Sequence, residues 1–403
     1  TQADREAPFV RYADRSLRLP EPRGAVAAYL DHDALVELLR DAAVDAVWPG
    51  WGFSAEHPEF VDKLAAAGIR FLGPSGAAML QLGDKIASKE LAESVGVPVT
   101  PWSGGAVADF EEGSRAAELI GYPLVVKASA GGGGRGIRFV NAPEELEEAM
   151  RSARSEAEGA FGDGRLFLES AVRAGRHIEV QILADQHGHV FALGARDCSV
   201  QRRFQKVLEE APPPGLSEQT LSDLLRDARR IAAEVGYSGA GTVEFLVDGE
   251  AYYFLEMNPR LQVEHGITEA ITGLDLVELQ IRIARGEDLG DLSFRESGHA
   301  IEARVCAEDP DAGFIPSPGR IARFDPVLGP KVRIDTGVAP GTDVPDAFDS
   351  LIAKVITTGD DRHEAVSRLR AALTDFDLVI EGGATNKGCL LYTSDAADDY
   401  FWV

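Results

Sequence analysis

Residues 241–264 constrain the fold more than any other part of this chain. Two runs rich in β-branched and aromatic residues, Gly241–Asp248 (GTVEFLVD) and Tyr252–Glu256 (YYFLE), flank Gly249-Glu250-Ala251. Such runs around a short glycine-containing loop predict a β-hairpin. If Asp248 pairs with Tyr252, Glu244 lies directly opposite Glu256 on one face. From Glu256 onward every second residue is polar: Glu256, Asn258, Arg260, Gln262, Glu264. A strand sends alternate side chains to opposite faces, and Pro259 keeps Asn258 out of the helical region. An extended run through Glu264 would therefore line one face with carboxylates, amides and a guanidinium. Facing carboxylates repel; a divalent cation removes that penalty, and Mg²⁺ favours one or two carboxylates together with phosphate oxygens. The same pattern also describes a solvated strand face, and a loop one residue shorter breaks the pairing.

A second motif is an apolar strand, a glycine run and another apolar strand, from Tyr122 to Val140 (YPLVVKASAGGGGRGIRFV). The consecutive glycines Gly131, Gly132, Gly133 and Gly134 leave backbone N–H groups free to wrap an anion. No Gly-Lys-Ser/Thr follows and the next element is strand-like, which argues against a Walker A loop and a dinucleotide fingerprint. A glycine-rich hairpin over nucleotide phosphates fits, with Lys127 on the incoming strand as a phosphate cation.

Charge narrows the class further. The 403 residues carry a net charge of −26, which disfavours nucleic acid or an anionic membrane surface as partner. A site for a phosphate or another small anion must then concentrate positive charge locally, as Lys85, Lys127, Lys206 and Arg260 could. Cys198, Cys306 and Cys389 are far apart with no CxxC spacing, which argues for a reducing compartment without disulfides. No apolar run has transmembrane length and no signal-peptide pattern opens the chain, so a cytoplasmic protein is expected.

Along the chain, a helix pattern over 33–40, a strand at 44–48, a second helix and a strand at 69–74 give the rhythm of a parallel α/β sheet. Gly83-Asp84-Lys85 opens a helix that ends before the proline-dense Val97–Pro101. A helix is expected over 221–235, and the region after about Gly298 is strand-rich. The chain is long enough for two or three domains.

The glycine loop, Arg176–Gln181 (RHIEVQ), Arg196–Arg203 (RDCSVQRR), Glu209–Pro212 (EEAP) and Glu256–His265 (EMNPRLQVEH) together resemble the biotin carboxylase component of biotin-dependent carboxylases, an ATP-grasp family. The resemblance runs in order from about Ala3 to Gly388. It implies a mixed α/β and α+β fold: a partial parallel α/β domain over 1–82, an ATP-grasp domain over 83–297 with a glycine-rich lid at about 100–168, and a strand-rich C-terminal domain over 298–388. The family's opening strand and helix are missing, so the first domain is expected to be truncated. Residues 389–403 depart from the family and are expected to be a non-native tail.

The resemblance also implies roles. Lys85, Lys127 and Gly131–Gly134 would contact phosphates, Glu169 and Val172 would lie at the adenine hinge, and His177 and Gln201 would face the nucleotide. Glu244, Glu256 and Asn258 would hold Mg²⁺ or Mn²⁺. Arg260, Gln262 and Val263 would cradle bicarbonate, Glu264 would deprotonate it, and Lys206 would stabilise the phosphorylated species. Arg333 would polarise the biotin ureido oxygen. Phe204 stands where the family more often has histidine. The implied reaction is ATP- and bicarbonate-dependent carboxylation of biotin on a separate carrier domain, with a carboxyltransferase and a second copy of the chain as further partners. The rivals are another bicarbonate-using ATP-grasp ligase and a copy that binds nucleotide only.

Overall fold

The computed structural model describes residues 1–130 and 136–399, with side chains through Ser394. Gly131–Gly134, expected to contact phosphates, lie outside the described residues.

The N-terminal region places helix α1 (His32–Asp41), strand β1 (Ala46–Val47), helix α2 (Pro58–Ala66) and strand β2 (Arg70–Phe71) in sequence. The two strands pair in parallel, Ala46 with Arg70 and Val47 with Phe71, around a small core of Phe60, Leu64 and Ile69. Helices α3 (Gly76–Gly83) and α4 (Lys85–Ser94) follow. Asp84 starts α4 because its side chain accepts from the amides of Ile86 and Ala87, two groups that the first helical turn leaves unpaired.

The segment expected to be the lid contains α5 (Phe110–Ile120), β3 (Leu124–Ala128), β4 (Ile137–Val140), α6 (Leu146–Phe161) and β5 (Leu166–Ser170). Strand β3 pairs antiparallel with both β4 and β5. The apolar residues flanking the glycine run thus form the expected hairpin. They pack with Leu146, Met150 and Ala153 of α6 into a core of their own.

The remaining strands build one eight-stranded sheet: β6 (Arg176–Ala184), β7 (Val190–Arg202), β8 (Gln205–Ala211), β9 (Gly239–Asp248), β10 (Ala251–Asn258), β11 (His299–Cys306), then, beyond β12 (Arg320–Asp325), β13 (Val332–Thr336) and β14 (Leu351–Gly359). Their spatial order is β10-β9-β6-β7-β8-β11-β14-β13. Every neighbouring pair is antiparallel. Strands from beyond residue 298 therefore extend the sheet that carries β6 to β10. Helix α7 (Glu218–Glu234) covers one face, burying Leu224, Ala228, Ile231 and Ala232 at helical spacing against Ile178, Val180 and Val243. Helices α8 (His265–Thr272) and α9 (Leu276–Ala284) follow β10. The C-terminal core gathers Val305, Val355, Leu369, Leu373 and Phe376 from β11, β14 and α10 (Arg362–Asp375) and its C-terminal flank. Strand β15 (Asp377–Glu381) pairs with β12, and helix α11 (Lys387–Asp399) seats Leu390 in the same core.

The hairpin around Gly249 departs from expectation in an instructive way. The loop has two residues, because Asp248 pairs with Ala251 and Tyr252 with Val247. That count alone would take Glu256 away from Glu244. A β-bulge at Leu255 restores the register, and Glu256 pairs with Glu244 after all. The extra residue sits in the strand, where a bulge accommodates it, and not in the loop. The extended run stops early as well. Strand β10 ends at Asn258, and Glu264 is the residue that starts α8.

Candidate active site

One row of the sheet carries charge across four strands. Glu256 faces Glu244, Glu244 faces Glu179, and Glu179 faces Arg196. Directly opposed side chains share a face, so β10, β9, β6 and β7 together present a polar strip. Glu179, Arg196, Glu244 and Glu264 are all buried there. Arg196 is satisfied on every side: its Nε donates to Glu179 Oε1 (2.5 Å), and its other nitrogens donate to Gln181, Thr242 and Thr268.

Lys206 ties the strip to Glu264. Its Nζ donates to Glu179 Oε2 (2.5 Å) and Glu264 Oε1 (2.5 Å), and lies 3.3 Å from Glu244 Oε1. The other Glu264 oxygen accepts from Arg304 on β11 at 2.9 Å. Glu264 also stands at the N-terminal end of α8, where helix amides favour negative charge. Burial pushes its carboxyl upward, but Lys206, Arg304 and Arg196 outweigh that and hold it well below the usual carboxylate range. The close approach of α8 to the sheet depends on Gly266, where an added Cβ would meet Ile356 Cδ1 at 2.5 Å.

Glu244 gathers donors on both oxygens. Asn258 Nδ2 (2.8 Å) and Gln262 Nε2 (3.0 Å) donate to Oε1, and His177 Nε2 lies 2.8 Å from Oε2. Burial raises its pKa, but Lys206 and then His177 lower it by more, so the carboxyl sits well below its ordinary range. Burial alone would discharge His177; Glu244 reverses that and raises its pKa. Gln201 Nε2 lies 3.0 Å from His177 Nδ1, which makes the two expected nucleotide-facing residues neighbours. Arg260 extends the network, donating to Gln262 Oε1 (2.8 Å), Asn258 Oδ1 (3.2 Å) and Glu56 Oε2 (2.8 Å). The Val263 carbonyl accepts from Lys354 Nζ at 2.7 Å.

The facing carboxylates of Glu244 and Glu256 offer the hard oxygen ligands that suit Mg²⁺ or Mn²⁺, and Glu256 Oε2 is 3.4 Å from Lys85 Nζ. The ligating atoms of His177, Glu179 and Glu244 also lie within 4.8 Å of one another. Asn258 presents its N–H to Glu244, so coordination through its oxygen requires the amide to turn over.

A second set lies in and under the lid. Glu169 on β5 is buried between Lys127 and Lys89, pairing with both, and accepts from Thr100 Oγ1 at 3.0 Å. Burial raises its pKa, but the two lysines bring it down to about 2. Val172 is half-buried just after β5, packed so that a Cβ on Gly175 would meet its Cγ1 at 2.8 Å. Among the described residues no ion pair joins Lys127 or Glu169 to the Glu244 network.

Among the described residues Arg333, expected as catalytic, forms no ion pair with Glu264 or the Glu244 strip. It lies on the edge strand β13 and pairs with Asp335 (2.8 Å) and Glu269 (2.6 Å). The guanidinium in contact with Glu264 belongs to Arg304. Sequence reasoning missed Arg304, and gave no role to Glu179, Arg196 or Glu56. The available signal was Glu302-Ala303-Arg304 within the otherwise apolar run His299–Cys306, since charges inside a buried strand need partners.

Family models for the biotin carboxylase N-terminal domain, the carbamoyl-phosphate synthase L chain ATP-binding domain and the biotin carboxylase C-terminal domain match residues 1–79, 84–292 and 302–397. The biotin carboxylase of Halalkalibacterium halodurans is 46% identical over 96% of this chain and 85% of its own. The chain belongs to the biotin carboxylase family. Among solved structures, the Campylobacter jejuni biotin carboxylase–β,γ-ATP complex matches with a TM-score of 0.95 at 41% identity, covering 99% of this chain and 90% of that one. The biotin carboxylase domain dimer of Hydrogenobacter thermophilus 2-oxoglutarate carboxylase, with MgADP, ADP and bicarbonate, matches with a TM-score of 0.93 at 41% identity over 97% and 86%. The match extends the expected fold class to the whole assembly of lid, ATP-grasp sheet and C-terminal strands.

Proposed function

We propose that this chain carries out ATP- and bicarbonate-dependent carboxylation of biotin on a carrier domain, the first half-reaction of a biotin-dependent carboxylase. The observation that carries the reading is Glu264, kept ionised between Lys206 and Arg304 beside the Glu244 strip. Bicarbonate is a weak nucleophile until it loses its proton, and an ionised carboxylate with cationic support is the group that can take it. Arg260, Gln262 and Val263 would cradle the bicarbonate that attacks the γ-phosphorus. A divalent cation between Glu244 and Glu256 would offset charge on the transferring phosphoryl group. Lys85, Lys127 and the glycine loop would hold the phosphates, with Glu169 and Val172 toward the adenine and His177 and Gln201 toward the rest of the nucleotide.

The product, carboxyphosphate, would break its C–O bond to give CO₂ and phosphate. Phosphate would take the ureido N–H proton as that nitrogen attacks CO₂. Arg304, at 2.9 Å from Glu264, would supply the guanidinium that polarises the ureido oxygen, the role that the family resemblance implied for Arg333. A lid that excludes water protects such an intermediate. A biotin carrier domain and a carboxyltransferase follow as partners, a homodimer as assembly and the cytoplasm as compartment. No described helix is long and apolar enough to cross a membrane.

The test is phosphate release from Mg-ATP with and without bicarbonate and free biotin, for the chain and for Glu264→Gln. Release that needs both substrates and collapses in the variant is expected. Release indifferent to biotin would instead indicate another bicarbonate-using ligase, and nucleotide binding without release a binding-only copy.

A further inference from the structure

Glu209 on β8 and Glu302 on β11 are direct cross-strand neighbours, so their side chains leave the sheet on the same face. Both are buried. Glu209 Oε1 accepts from Arg304 Nε at 2.5 Å, while Glu209 Oε2 and both oxygens of Glu302 have no hydrogen-bond partner. The proposed reaction uses neither residue. We propose that these two residues form an acid pair that positions Arg304: Glu209 anchors the guanidinium as an ionised partner, and Glu302 stays protonated beside it. This inference rests on the functional reading above and adds the device that keeps Arg304 in place.

The argument begins with the groups that face Glu302 from each packed element. They are Glu209 from β8, Arg304 two residues along β11, Lys354 from β14 and Glu264 at the start of α8. The Arg333 guanidinium of β13 lies near the same point of α8, where a Cβ on Gly266 would meet Glu302 Oε2 at 3.5 Å and Arg333 Cζ at 3.8 Å. Lys354 Nζ is 3.9 Å from Glu302 Oε2 but is committed to the Val263 carbonyl (2.7 Å) and Asp335 (3.2 Å). An ionised buried carboxylate without a hydrogen bond is costly, and protonation is the usual escape. Burial and the neighbouring acids accordingly push Glu302 up, to about 8. Glu209 is pushed up too, to about 7, by burial against the pull of Arg304. Geometry separates the pair: Glu209 accepts from Arg304 Nε at 2.5 Å, whereas neither oxygen of Glu302 has a donor.

The consequence concerns Arg304 during turnover. When Glu264 turns to bicarbonate, Arg304 loses one of its two carboxylate partners. Glu209 retains the other, so the guanidinium stays charged and oriented toward the ureido site. Residues 302 and 304 share a face of β11. An ionised Glu302 would compete for Arg304 and draw it from Glu264.

Two variants of the full chain test this, Glu209→Gln and Glu302→Gln, both near-isosteric. Infrared difference spectra at pH 7 are expected to contain a protonated-carboxyl band that Glu302→Gln removes and that fades as pH rises through about 8. Glu209→Gln is expected to lower kcat for biotin-dependent phosphate release by roughly 10- to 100-fold with the KM for ATP within about twofold. Glu302→Gln is expected to keep kcat at pH 7 within about twofold and to shift the alkaline fall of kcat upward. Absence of the Glu302 band overturns the inference. So does a Glu209→Gln variant that changes ATP KM and kcat together, because that is the signature of a general structural loss. A parent chain without biotin-dependent release would sink the functional reading alone, since the infrared band reports on the pair without turnover.

Discussion

Burial alone would protonate Glu264, and three cations reverse that outcome. A carboxylate whose folded pKa is depressed contributes stability that is present above the ordinary value of 4.5 and lost as pH falls through the folded one. Glu244 behaves in the same sense. Lys206 is the common partner of both, so Lys206→Met leaves buried carboxylates uncompensated, at a cost of about 3–5 kcal/mol. Urea unfolding at pH 7 measures that loss, and the gap to the parent should narrow below pH 4.5 as those carboxylates take up protons; a gap constant with pH would refute the assignment. Arg304 and Arg333 give a sharper contrast. Arg304→Ala removes the guanidinium beside Glu264 and is expected to cut biotin-dependent kcat by about 100-fold or more. Arg333→Ala breaks an edge-strand contact with Asp335 and Glu269 and is expected to keep kcat within about threefold. Equal losses in the two variants would return the catalytic assignment to Arg333. The charges of Glu302 and Arg304 inside a buried strand signalled that Arg304 needs a partner. That partner, Glu264, lies 40 residues earlier in the chain, and only the packing of β11 beside the start of α8 brings the two together.

The hairpins show how much of the fold local sequence dictates and where it stops. The Lys127 hairpin and the Glu244–Glu256 pairing were legible, since β-branched runs around glycine define both. The bulge at Leu255 was not, because loop and bulge consume the same extra residue and leave the same downstream pairing. Arg203 and Phe204 connect β7 to β8 with φ of +51° and +66°, between the paired Arg202 and Gln205. Two successive positive φ values are those of a type I′ turn, which Asn-Gly fills without strain. An ordinary side chain held in the left-handed region costs roughly 1–2 kcal/mol. Phe204 regains little of that, being 58% exposed. The double substitution Arg203→Asn, Phe204→Gly is therefore expected to raise stability by about 1–2 kcal/mol. Chemical denaturation decides the point: unchanged or lowered stability would mean that these side chains make contacts offsetting their backbone strain.

At the scale of the whole molecule, the site exists only because one sheet joins segments far apart in sequence. Glu244 and Glu256 come from β9 and β10, Glu264 from the start of α8, and Arg304 from β11. The composition pulls the other way, since a net charge of −26 disfavours any compact state through self-repulsion. The cations that matter are gathered at the site, where buried Arg196 and half-buried Lys206, Arg260 and Arg304 face carboxylates over short distances. Salt should then act with opposite sign on surface and site. Screening reaches about 10 Å at 0.1 M and acts mainly on exposed charges, so raising NaCl from about 10 to 300 mM relieves surface repulsion. The melting temperature is expected to rise by a few degrees. Bicarbonate, an anion drawn in by the local cations, should bind less readily over the same range, with a higher KM. Parallel melting curves and bicarbonate titrations test both halves. A melting temperature that falls with salt would mean that surface ion pairs, and not surface repulsion, dominate this protein's electrostatics.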